Sequence, residues 1–235
     1  MIGQWDRAIL LFCNQLAGRS ERLDGLVMFA SHNGLVKGGL CAVLLWWFWF
    51  RVPAARPGLV ATATGAVAAI LCARVLALAL PFRARPVDTP DLPLHASIFQ
   101  SQVRTLGWSS FPSDHAAFFF ALAAGLFLIS RRAGILAMVH TAVFICLPRL
   151  YLGIHYPSDL LAGAAIGLVA ALVSNRETVR RFVAGRPLAW FETTPSWFYV
   201  GAFLFTYQVA EVFDQSLEFL FAAASVVKVA SSLFR

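Results

Sequence analysis

The sequence predicts an all-α protein, a polytopic membrane helix bundle of about six spans with flanking amphipathic interfacial helices. Three observations predict it. Of 235 residues, 59% are hydrophobic and only 13% charged, against about 45–50% and about 25% in a soluble domain. Six apolar runs recur along the chain, each near the ~20 residues that a helix needs to cross a bilayer. The basic residues gather in short gaps between those runs, as in the cytoplasmic loops of membrane proteins. The composition excludes a secreted disulfide scaffold, a disordered tail and a nucleic-acid-binding domain, although the formal net charge is +7.

The elements follow in order. Residues 2–16 are short and amphipathic, with Trp5, Ile9, Phe12, Cys13 and Leu16 on one face, and read as a helix lying in the membrane interface. Asp6, Asn14 and Gln15 interrupt this stretch, which has neither a basic n-region nor a small-residue cleavage site, so no signal peptide is expected. The first span is 26–50; it ends in Trp46, Trp47 and Trp49 before Arg51, an aromatic cluster beside a cation that reads as an interfacial belt. The second span, 59–80, is stopped by Pro81, and residues 82–111 form a polar loop. Spans three to five are 111–129, 134–150 and 157–173; a sixth is 196–213. Glu211, Asp214 and Glu218 then make one polar stripe, which suits an amphipathic surface helix better than a lipid-facing span. No internal repeat divides the chain, so 1–235 reads as a single integral membrane domain. The cysteines, Cys13, Cys41, Cys72 and Cys146, lie in apolar stretches without CxxC spacing and read as buried thiols.

Orientation follows from three basic turns: Arg51 and Arg56, then Arg131 and Arg132, then Arg176, Arg180, Arg181 and Arg186. If the spans alternate, all three share one side, and the positive-inside rule makes that side the cytoplasm. Loop 82–111 and the turn at 149–157 then face the opposite side, and their arginines need another explanation.

Three segments at the ends of spans offer one. They contain Arg83, Arg85 and Pro86; then Pro112, Ser113, Asp114 and His115; then Pro148, Arg149, His155 and Asp159. Guanidinium groups with two imidazoles, a serine and a carboxylate suit a tetrahedral oxyanion, one imidazole attacking and one donating a proton. Pro112 and Pro157 sit where helices should begin, so Ser113 and Asp114 would offer free N–H groups to an anion. If helical structure starts near His155, Asp159 shares its face and can accept from one ring nitrogen while the other attacks.

These segments resemble the three signature motifs of the type-2 phosphatidic acid phosphatase family, whose superfamily also holds vanadium haloperoxidases and glucose-6-phosphatase. The family patterns are K-x6-R-P, P-S-G-H and S-R-x5-H-x3-D. Pro112-Ser113-Asp114-His115 matches the second, Pro148-Arg149-x5-His155-x3-Asp159 the third, and Arg85-Pro86 the end of the first. The resemblance covers about residues 70–175, with a catalytic core of about 59–175 and a C-terminal span and amphipathic helix over 196–235. It implies that His155 is the nucleophile forming a phosphohistidine, Asp159 its orienting acid and His115 the general acid. It implies that Arg85, Arg149 and Ser113 bind phosphate, with no metal and no cofactor.

Three departures stand out. Leu78 occupies the place of the motif lysine, and either Arg74, about three turns before Arg85, or Arg83 supplies the missing charge. Asp114 replaces the motif glycine and repels phosphate unless an arginine pairs with it or it turns away. Pro148 replaces a serine and removes a hydroxyl donor. The last two variants resemble the lipid A phosphotransferase branch of the family.

The resemblance implies a lipid phosphate or diphosphate phosphatase in the bacterial cytoplasmic (inner) membrane, its site facing the exterior, with membrane lipids as partners and undecaprenyl diphosphate the favoured substrate. The alternative is a phosphotransferase that passes the phosphoryl group to another lipid such as lipid A. A second alternative, from loss of the motif lysine, is a non-catalytic membrane subunit or transporter. The oligomeric state is open.

Overall fold

The computed structural model describes residues 3–99, 101 and 107–211. Most of those residues are helical, with no strand among them. The helices are α1 (Gln4–Asn14), α2 (Glu21–His32), α3 (Leu40–Arg51), α4 (Arg56–Ala79), α5 (Asp114–Ile129), α6 (Arg131–His140), α7 (Leu147–Tyr151), α8 (Pro157–Ser174), α9 (Glu177–Thr193) and α10 (Pro195–Glu211).

The centre is α5. Its residues from Ala116 to Leu126 are almost all buried, and α4, α6 and α8 pack around it. Small residues make the close approach possible. A Cβ added at Gly163 of α8 would lie 2.2 Å from the Ser113 carbonyl, and one at Gly167 would lie 2.3 Å from the Ala117 carbonyl. On the other flank, a Cβ at Gly125 would strike the Thr62 side chain of α4 at 2.3 Å. Such seams let helix backbones touch, which is how helices hold together where burial from water does not drive them. They also fix the starts of α5 and α8 side by side.

Among the described residues the expected six spans are met only in part. Pro53–Ala79, Arg131–Tyr151 and Pro157–Ser174 are long and apolar enough to cross a membrane, and the bent pair Glu21–His32 with Leu35–Arg51 brings the number to four. The expected first span is thus broken, with its halves at 61°. Asn33 causes the break: its backbone turns extended and its side-chain oxygen accepts from Val36 N–H at 3.0 Å, capping the next segment. At 16 residues, α5 is about 24 Å long, short of the ~30 Å hydrocarbon core. The expected sixth span forms as α10, of 17 residues. Residues 214 and 218 of the acidic stripe lie outside the described residues.

Two further expectations change. Residues 177–193, read as a basic loop, are helical, with Arg180 and Arg181 both paired to Glu177. The tryptophan cluster is not simply an interfacial belt: Trp49 stacks on Phe198 at 5.0 Å and meets Phe191 edge-on, joining α3 to α9 and α10, while Trp47 is exposed.

The three basic turns do share one end of the bundle. A Cβ at Gly58, beside Arg56, would touch Ile129 at 3.6 Å and Asn175 at 3.8 Å. The motif segments gather at the opposite end. There α1 lies across the bundle with Asp6, Leu10 and Asn14 buried and Trp5, Ile9, Phe12 and Leu16 exposed, as the amphipathic pattern predicts.

Candidate active site

Local chemistry builds each part of the site. Ser113 caps α5, its hydroxyl accepting from Ala116 N–H at 3.4 Å. Its own N–H donates to the Asp159 carbonyl at 3.1 Å, tying the start of α5 to α8. At the start of α8, Pro157 occupies the first turn and the Asp159 carboxylate accepts from Tyr156 N–H at 2.7 Å. Between α7 and α8 the chain reverses at Gly153, whose φ of +66° favours glycine. The Gly153 carbonyl accepts from Val87 N–H at 2.9 Å, fastening the turn to the Arg85 segment.

His155 sits in this turn and is 3% exposed. Its Nδ1 lies 2.9 Å from the Ser110 carbonyl and 3.6 Å from Asp159 Oδ2. A carbonyl only accepts, so Nδ1 carries the proton and Nε2 of the neutral ring keeps its lone pair. The expected ring-to-carboxylate hydrogen bond is therefore replaced: the backbone takes the hydrogen bond and Asp159 stands by as a charge. Burial, the largest influence, pushes the His155 ring below its ordinary value; Arg85 adds to this, while Asp159 and Asp114 oppose it.

Asp159 is fully buried and fully used. Oδ1 accepts from Arg83 Nη1 at 2.6 Å, and Oδ2 accepts from Tyr156 N–H and from the Ser110 hydroxyl. Arg83 also lies 4.2 Å from the Tyr156 ring centre and donates through Nη2 to Asp6 at 2.8 Å.

His115, at the start of α5, is held by its neighbour. Asp114 Oδ1 accepts from the His115 backbone N–H at 2.8 Å and faces ring Nδ1 at 2.9 Å. Arg74 Nε donates to the other oxygen of Asp114 at 3.2 Å. Of the two conditions expected for Asp114, pairing with an arginine is the one realised.

Both candidate replacements for the motif lysine are thus bound to carboxylates, Arg74 to Asp114 and Arg83 to Asp159 and Asp6. Arg85 differs. Its Nη1 is 3.5 Å from the Ile154 carbonyl, and its Nε is buried with no hydrogen-bond partner among the described residues. Burial pushes its guanidinium down from the usual arginine value, against the pull of Asp114, Asp159 and Asp88. Arg149 is 4% exposed, and its carbonyl accepts from Ile154 N–H at 2.8 Å, holding the His155 turn. A buried guanidinium with an N–H that lacks a partner among the described residues, near enough to lower the His155 ring, makes a receptor for an anion.

The model of the PAP2 superfamily matches residues 60–182 of the chain. The chain belongs to the PAP2 superfamily. That stretch runs from α4 into α9 and includes His115, His155 and Asp159.

Three curated relatives are similar over shorter segments. The bacitracin transport permease protein BcrC of Bacillus licheniformis is 41% identical over 64 residues, 27% of this chain and 31% of the relative. The lipid A 4'-phosphatase of Bacteroides thetaiotaomicron is 40% identical over 86 residues, 36% of this chain and 38% of the relative. The putative undecaprenyl-diphosphatase YbjG of Escherichia coli is 42% identical over 64 residues, 27% of this chain and 32% of the relative. The matches span about a third of the length of these relatives. A crystal structure of Aquifex aeolicus LpxE aligns with 71% of this chain and 92% of its own at 23% identity and a TM-score of 0.48.

Sequence reasoning found the motif residues but missed Ser110, Ser158 and the part played by Asp6. Ser110 and Ser158 carry no signal beyond their nearness to the motifs. Asp6 had one: with Leu10 and Asn14 it repeats every fourth residue, on the face of α1 away from the apolar stripe.

Proposed function

We propose that the chain is a membrane lipid phosphatase that works through a phosphohistidine on His155, with polyprenyl diphosphate as substrate, at the non-cytoplasmic face of the cytoplasmic membrane. The observation that carries the reading is the fixed tautomer of His155, which leaves Nε2 to attack with Arg85 close enough to act on the same ring. In the proposed first step, Nε2 forms a bond to phosphorus, the bond to the leaving oxygen breaks, and His115 gives that oxygen its proton. Arg85 and Arg149 stabilise the charge on the phosphoryl oxygens, and the Ser113 hydroxyl keeps its proton to donate, although the Ser113 N–H expected to meet the anion is taken by the Asp159 carbonyl. Water then attacks the phosphohistidine and releases phosphate. Arg74 and Arg83 act one step removed, through Asp114 and Asp159. The names of two relatives, a lipid A 4'-phosphatase and a putative undecaprenyl-diphosphatase, support a lipid substrate. So does the length of α5: measured from Arg131 at the basic end, its far end stops about 6 Å short of the hydrocarbon thickness, within reach of a headgroup entering sideways.

Asp114 favours a second reading, transfer of the phosphoryl group to a lipid hydroxyl, because it supplies a carboxylate beside the acid that the common motif lacks. Phosphate release from undecaprenyl diphosphate, phosphatidate and phosphatidylglycerol phosphate tests the first reading. Release is expected from undecaprenyl diphosphate and blocked by vanadate; release from none by folded protein overturns it. With labelled donor and lipid A, label recovered in lipid A establishes transfer.

A further inference from the structure

We propose that Asp6 is a positioning residue of the active site, acting on Asp159 and His155 through Arg83. The proposal rests on the reading of His155 as nucleophile. Asp6 belongs to α1, yet it is 3% exposed and, among the described residues, its side-chain hydrogen bonds go to the motif segments. Oδ1 accepts from Ser158 N–H at 2.8 Å. Oδ2 accepts from the Ser158 hydroxyl at 2.7 Å and from Arg83 Nη2 at 2.8 Å. Arg83 Nη1 bridges the Ser158 hydroxyl at 2.8 Å and Asp159 Oδ1 at 2.6 Å. The result is a row of alternating charge, Asp6, Arg83 and Asp159, whose two carboxylates are buried and whose arginine is part-exposed.

Capping α8 explains the bond to the Ser158 N–H, but not why the other oxygen grips Arg83. The row explains it. When Nε2 takes a phosphoryl group, the ring of His155 becomes cationic, its Nδ1–H remaining on the Ser110 carbonyl. Asp159, 3.6 Å from Nδ1, is the anion that meets this charge. An arginine bound only to Asp159 would neutralise it. Asp6 shares the arginine and leaves the row with one net negative charge facing His155. The rest of α1 fits this role, for Asn14 clamps His95 through both its amide atoms at 2.7 and 3.0 Å and the Tyr151 carbonyl at 2.8 Å. The helix is thus fastened to the site at two levels.

The test uses the full chain in detergent or lipid, with kinetics on undecaprenyl diphosphate and titration of His155 by NMR with labelled histidine. Asp159, Arg85 and Asp114 are the charged groups that act on that ring, with Arg83 behind Asp159, and Asp6→Asn leaves all of them in place. Asp6→Asn is expected to lower kcat at least tenfold with KM changed less than threefold, Asp6→Glu to recover most of the loss, and the His155 midpoint to fall in Asp6→Asn. A folded Asp6→Asn chain with wild-type kcat, or with an unmoved His155 midpoint, overturns the proposal. If Asp6→Asn does not fold, the Asp6→Asn/Arg83→Gln pair removes the charge and its partner together. Its His155 midpoint is expected at or above the wild-type value; one below it also overturns the proposal. The titration needs no substrate, so a wild-type chain that hydrolyses no lipid phosphate sinks the function and leaves the role of Asp6 still decided by NMR.

Discussion

His155 Nδ1–H donates a hydrogen bond to the backbone carbonyl of Ser110, 2.9 Å away. A main-chain carbonyl neither titrates nor rotates freely, so the tautomer is set by the path of the chain. The hydroxyl of the same serine donates to Asp159, so Ser110 holds the imidazole and its carboxylate with different atoms. Ser110→Ala keeps the first contact and loses the second. Asp159 retains Tyr156 N–H and Arg83, so the expected loss is about 1 kcal/mol, read as a fall in kcat of several-fold with an unchanged histidine tautomer by NMR.

Under the proposed mechanism the two histidines are not equivalent. His155→Ala removes the nucleophile and should lower kcat by about four orders of magnitude or more. His115→Ala removes only the acid and should cost about 10²–10⁴-fold. Trapping with labelled donor checks the assignment: His115→Ala should still acquire label, and His155→Ala should acquire none.

The pH dependence has a definite sign. The attacking ring must be neutral, and burial pushes His155 down from the ordinary imidazole value. A lowered value keeps the ring neutral at lower pH, so the acid limb of kcat/KM should fall below ~6.5. Asp159→Asn removes a charge that opposes the shift and should move this limb lower still. An acid limb above the ordinary histidine range contradicts the arrangement.

Asp114 is bound to Arg74 and to His115. Asp114→Gly restores the common motif residue and releases both. Arg74 then has no carboxylate at this position and the anion site loses a negative neighbour, so vanadate should bind roughly three- to tenfold more tightly. His115 loses its orientation, so kcat should fall. Inhibition constants and kcat measured on one preparation separate the two effects.

The seam between α5 and α8 admits no side chain at Gly163, where a Cβ would meet the Ser113 carbonyl at 2.2 Å. Gly163→Ala forces the helices apart at the cap that places Ser113 and His115. An overpacking cost of about 1–3 kcal/mol is expected, seen as a lower thermal midpoint in detergent, with kcat falling further than stability alone requires.

The motifs were legible because their chemistry needs particular residues at fixed spacings: Pro112 and Pro157 announce helix starts, and His155 and Asp159 lie one turn apart. The span lengths were less so. Asn33 is unremarkable in an apolar run, yet its side chain caps the following segment and breaks the expected first span. The basic stretch after α8 read as a loop because charge hid a helix whose arginines pair with Glu177. The partners of Arg74 and Arg83 could not be read at all, for each depends on which carboxylate the packing brings near: Asp114 on α5, Asp159 on α8 and Asp6 on α1.

The glycine seam also divides the labour of the molecule. Helices α5 and α8 touch backbone to backbone, so neither can slide or tilt without breaking the other, and the residues at their starts move as one body. Helix α1 instead reaches the site through the side chain of Asp6, whose hydrogen bonds can be exchanged one at a time. The helix starts that carry His115 and Asp159 rest on the part that cannot be adjusted, and the tuning of His155 through Asp6 on a part that can. Graded changes of reaction rate are therefore to be sought in α1, and loss of the whole site in the seam.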